Sequence, residues 1–108
     1  MPIFIKTEKF KDKTLELSNN ERRKFLFMHK EWVKDISKSG HYILSGYLIN
    51  EQKIPGGGGL LILEAKDYLT AKKIIQDDPM IKNELVIWEL HEWIPINRDQ
   101  RQIFNHLG

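Results

Sequence analysis

A chain of 108 residues can enclose one hydrophobic core and is too short for two ordinary domains. A hydrophobic content of 41% and a charged content of 30% exclude a disordered segment, and a net charge of +2 leaves no nucleic-acid footprint. The absence of cysteine excludes disulfides, thiolate metal sites and a cysteine nucleophile and fits a cytoplasmic protein, while the lack of any apolar run near 18 residues gives no expectation of a membrane partner.

Ile3, Ile5 and Thr7 alternate with Phe4, Lys6 and Glu8, the period of a short strand. Residues 9–17 are charged and irregular and are expected to form a loop. Ser18 followed by Glu21 has the form of a capping box, so a helix is expected from there to about Ser39, with Gly40 as its left-handed stop. Its apolar stripe is Phe25, Met28, Trp32, Val33 and Ile36, and His29 lies on the same stripe. His41 to Ile49 is expected to be a second strand in which Gly46 leaves room beside the backbone. Asn50 to Gly59, ending in four glycines, reads as a flexible hairpin loop, and Leu60 to Ala65 as a third strand, apolar on both faces. Asp67 caps a second helix along Ala71, Ile74 and Ile75, closed by Asp78-Pro79. Leu85 to Leu90 is a fourth strand, with Val86, Trp88 and Leu90 on one face and Leu85 and Ile87 on the other. Residues 1–94 thus form one domain, and residues 95–108, with Ile103, Phe104 and Leu107, a tail expected to be a short helix or a surface arm.

The order βαββαβ is that of an α+β, ferredoxin-like sandwich, with both helices on one face of an antiparallel sheet. The strands carry apolar residues toward the other face as well, and an uncovered face of that size exceeds what monomers expose. A second copy packed sheet on sheet is the simplest cover, so a homodimer is expected.

Two residues are candidates for chemistry. His29 is either a half-buried helix histidine bonded to a carbonyl or a general acid/base in a cleft; an unperturbed imidazole titrates at about 6.5, suited to proton transfer near neutrality. Asp78 either caps a turn before Pro79 or is a placed carboxylate, which continues the helix stripe four residues after Ile74 and orients His29 or shuttles a proton itself. The glycine run lacks the spacing of a phosphate loop and no helix follows it. His91-Glu92 does not begin a zinc motif, because Pro95 stands where the second histidine belongs. Leu60 to Glu64 has neither the aromatics nor the arginine of an RNA-binding third strand, so no nucleic-acid partner is expected. Trp88 and Trp93 are expected in the core or the dimer interface.

The runs Phe27-Met28-His29, Ser45-Gly46-Tyr47-Leu48, Gly59 to Ala65, Asp77-Asp78-Pro79-Met80 and Leu85 to Leu90, with Trp32, Gly40 and Trp93, resemble the YCII-related domain (YciI-like proteins) over about residues 2–94. The resemblance implies a ferredoxin-like dimeric α/β barrel and a cleft with a His–Asp pair, carried here onto His29 and Asp78. The chain departs from that pattern in residues 9–17, in the four-glycine run and in the tail. The expected function is acid–base chemistry on an unidentified small molecule, isomerisation or elimination. His29 and Asp78 would be catalytic, Ser45, Gly46 and Tyr47 would contact the ligand, and neither a cofactor nor a metal is expected. The competing readings are a ligand-binding or accessory dimer without catalysis and a purely structural dimer.

Overall fold

The computed structural model describes residues 1–97. The expectation for the tail therefore falls largely outside the described residues.

Four strands form one antiparallel sheet: β1 (Ile3–Phe10), β2 (Ile43–Ile49), β3 (Pro55–Glu64) and β4 (Val86–Trp93). Their order is β2-β3-β1-β4, which puts β1 and β3 in the centre and β2 and β4 at the edges. This is the ferredoxin-like α+β arrangement read from the element order. The helices are α1 (Asp12–Leu15), α2 (Asn19–Lys38), α3 (Tyr68–Ile75) and α4 (Pro79–Lys82).

Local chemistry sets most of the boundaries. Ser18 Oγ accepts from the Glu21 amide at 3.2 Å and the Glu21 carboxylate accepts from the Ser18 amide at 3.3 Å, so the capping box starts α2 as expected. Gly40 has φ of +101°, the left-handed stop beyond its end. Asp67 caps α3 by accepting from the Thr70 amide at 2.8 Å.

Five boundaries differ from expectation. Residues 9–17 are not a single loop: β1 continues to Phe10, and α1 follows, tied down by Thr14 Oγ1 donating to the Leu85 carbonyl at 2.6 Å. The glycine run lies within β3 rather than in a turn. A Cβ on Gly58 would stand 2.5 Å from the Glu8 carbonyl oxygen and one on Gly59 2.8 Å from that of Gly46, so glycine is what lets the backbones approach there. The second helix ends at Ile75, and Asp78 is the N-cap of α4 with Pro79 in its first turn, where proline is tolerated. β4 runs on to Trp93, and β2 begins at Ile43, two residues later than expected.

The core lies between the sheet and the helices. Phe4, Ile43, Leu61, Leu63 and Leu90 from the sheet pack with Trp32, Ala71 and Ile75 from α2 and α3. A second cluster of Met80, Leu85 and Val86 joins α4 to β4. The pairings Ser45–Leu61, Leu61–Lys6 and Lys6–Leu90 set one row of residues across this inner face, and Tyr47, Gly59, Glu8 and Trp88 set the next. The lysine of β1 therefore points into the core beneath the helices. On the outer face, Leu44, Leu48 and Ile87 are exposed and Ile5, Leu60 and Ile62 are half-buried.

Candidate active site

Four elements meet at one point on the inner face. α2 contributes His29 from its apolar stripe, α4 contributes Asp78 from its N-cap, β2 contributes Ser45 and β1 contributes Lys6. His29 Nδ1 lies 2.8 Å from Asp78 Oδ1, and His29 Nε2 lies 2.8 Å from Ser45 Oγ. Lys6 Nζ donates to Asp78 Oδ2 at 3.1 Å and to Glu8 Oε1 at 2.5 Å. The Met80 amide donates to Asp78 Oδ1 at 3.0 Å.

Asp78 is fully buried and Lys6 is 1% exposed. Burial pushes the Asp78 carboxyl up, but the hydrogen bond from His29, the Lys6 ammonium and the Met80 amide outweigh it and hold the group below the usual carboxylate range. Asp78 is thus a carboxylate, which accepts and cannot donate. The proton of the Asp78–His29 bond therefore sits on Nδ1, and in the neutral ring Nε2 accepts from the Ser45 hydroxyl. The Asp78 oxygens are taken up by these three donors. The imidazole is 15% exposed and Ser45 is exposed, so the arrangement runs from a buried anion outward to an accessible hydroxyl. The Trp32 ring, 5.7 Å from that of His29 between centroids, flanks the imidazole.

Of the residues singled out from sequence, His29, Asp78 and Ser45 come together directly. Tyr47 shares Ser45's face two residues along the strand and is 69% exposed. Gly46 lies between them with its missing side chain toward the outer face, where a Cβ would meet nothing within 4 Å. It borders a shallow hollow of about 250 Å³ with Leu44, Leu48, Leu60 and Ile62. Lys6 and Glu8 were missed. The signal that would have found them is the alternation Phe4, Lys6, Glu8 in the first strand of a βαββαβ chain. That strand is central, so an inward charge on it must meet a partner beneath the helices.

The YCII-related domain profile matches residues 3–94, nearly the whole of the described chain. The chain belongs to the YCII-related domain family. A search among curated proteins finds no match. Among solved structures, the family fold seen here is similar to 5-chloro-2-hydroxyhydroquinone dehydrochlorinase from Burkholderia phenoliruptrix AC1100 in complex with 2,5-dihydroxybenzoquinone. The TM-score is 0.63 at 17% identity, covering 85% of this chain and 93% of that one. At that identity the likeness speaks for the fold. Among the described residues no helix is long and apolar enough to cross a membrane, and no cluster of three His, Asp or Glu side chains is arranged to hold a metal ion.

Proposed function

We propose that this YCII-related chain is an acid–base enzyme that moves a proton on a small molecule, in an isomerisation or an elimination. The observation that carries the reading is the hydrogen-bonded chain Lys6–Asp78–His29–Ser45, in which the imidazole Nε2 meets the Ser45 hydroxyl at the edge of the core. His29 takes up and returns the proton through Nε2. Asp78 is buried and already accepts three hydrogen bonds, so its role is to fix the ring and its tautomer rather than to meet a ligand. Of the two roles open to Asp78 at the level of sequence, this geometry favours orientation over proton shuttling.

Ser45 and Tyr47 supply hydroxyls on the ligand side, while the bare Cα of Gly46 between them faces the outer side of the sheet. The dehydrochlorinase of similar fold suggests oxygenated ring compounds as the first class to try. A homodimer joined through the outer face, working in the cytoplasm, completes the reading.

The test is incubation with hydroxyquinones and chlorinated hydroxyhydroquinones in D2O, following ring-proton exchange and chloride release. Turnover is expected, reduced by about 10²–10⁴-fold in His29→Asn, the usual contribution of a positioned acid–base group. Tight binding with neither exchange nor release would overturn the catalytic reading and favour the accessory-domain alternative.

A further inference from the structure

The inward row of the sheet holds a second chemistry that does not depend on ring-proton transfer. Ser45 Oγ, His29 and Asp78 stand in the order of a serine-nucleophile triad: hydroxyl to Nε2 at 2.8 Å, Nδ1 to carboxylate at 2.8 Å. The three come from β2, α2 and the N-cap of α4, and such a constellation is defined by geometry and roles rather than by chain order. Each role is filled. Asp78 is buried, anionic and bonded to Lys6 and the Met80 amide, so it holds the imidazole with Nδ1 protonated. Nε2 is thereby left as the base facing the hydroxyl. Ser45 is exposed on an edge strand, so an electrophile reaches it without opening the core. Tyr47 follows on the same face, about 7 Å farther along the strand.

We propose that Ser45 is an activated nucleophile and that the chain hydrolyses small activated esters or thioesters through a Ser45 acyl intermediate. Ser45 Oγ bonds to the acyl carbon while its proton moves to His29 Nε2, and the carbonyl electron pair moves onto oxygen. Collapse re-forms the carbonyl and breaks the bond to the leaving oxygen or sulfur, which takes the proton from Nε2. Water, deprotonated by Nε2, then attacks the Ser45 ester, and collapse releases the carboxylic acid and returns the proton to Ser45. The sequence is redox-neutral and consumes only water.

The test uses a fluorophosphonate at pH 8 with intact-mass and peptide-mapping readouts, alongside hydrolysis of p-nitrophenyl acetate. Expected are one adduct per chain on Ser45, none in Ser45→Ala, and labelling and hydrolysis slower by about 100-fold or more in His29→Asn. The wild-type adduct should also vanish in urea, a control that needs no variant to fold. An unmodified Ser45 in the folded wild-type chain would overturn the proposal, as would an adduct confined to another residue or a labelling rate unchanged in folded His29→Asn. The outcomes separate from those above: Ser45 labelling without ring-proton exchange sinks only the isomerase reading, and exchange without Ser45 labelling sinks only this one.

Discussion

Asp78 works through both oxygens of one carboxylate. Its Oδ1 caps α4 through the Met80 amide and holds His29, while its Oδ2 meets the buried Lys6 ammonium. Asp78→Ala removes both and leaves Lys6 with Glu8 alone, so a loss of about 3–5 kcal/mol in urea unfolding is expected, the range for breaking a buried pair from one side. Asp78→Asn keeps a capping oxygen and should cost less, yet lower His29-dependent turnover. Lys6→Met alone also strands a buried charge, whereas Lys6→Met combined with Asp78→Asn removes both. The double variant should therefore be more stable than the sum of the single losses implies, and strict additivity in that cycle would show that the pair is not coupled. The depressed Asp78 titration adds a pH signature. Such a group contributes stability above the unfolded value of about 3.9 and loses it as pH falls through its lower folded value. The stability gap between the wild type and Asp78→Asn should therefore be full at pH 7 and narrow below about pH 4; a gap independent of pH would contradict the ionised, paired carboxylate.

At the level of elements, the glycine run shows what local pattern conveys and what it hides. Gly58→Ala would drive a Cβ against the Glu8 backbone carbonyl, which cannot rotate away, so a loss of about 1–3 kcal/mol is expected, as for other overpacked sites. Gly46→Ala meets nothing and should unfold within about 0.5 kcal/mol of the wild type. Equal losses in the two variants, compared by urea midpoints, would contradict the close β1–β3 approach. Four consecutive glycines look like a loop, whereas the reason for two of them, Gly58 and Gly59, is a neighbouring backbone, which strand periodicity cannot display. The same limit applied at Asp78: Ile74 and Ile75 suggested one continuous helix, whereas Pro79 starts a new turn and converts Asp78 into its cap. By contrast, the capping box at Ser18 and the stop at Gly40 are local devices, and they gave the length and the inward face of α2. That face carries His29, and with Asp78 and Ser45 also named from the sequence, three of the four residues of the hydrogen-bonded chain were legible. Lys6 was not, because Ile3 and Ile5 drew attention to the opposite face of β1, and only the tertiary placement of that strand reveals a buried ammonium.

At the scale of the molecule, the sheet has two unlike faces. The inner one is closed by α2, α3 and α4 around the clusters that contain Phe4, Leu61 and Leu90. Ile5, Leu44, Leu48, Leu60, Ile62 and Ile87 belong to neither cluster and lie on the other side, with Leu48 52% and Ile87 63% exposed. Monomers seldom leave so broad an apolar surface in water, and a sheet facing a second sheet buries it at a spacing of about 10 Å. The proposed homodimer follows from that cost, and it concerns the site as well, because Gly46 and its hollow open toward the outer face from the strand that carries Ser45. Light scattering coupled to size exclusion should give twice 12.8 kDa. Ile62→Asp puts a charge at the middle of the face without touching either core cluster, so it should return the mass to 12.8 kDa while the circular dichroism spectrum stays unchanged. A wild-type chain that runs as a monomer across the micromolar range would overturn the dimer. The chain Lys6–Asp78–His29–Ser45 would remain, since every atom in it comes from one protomer.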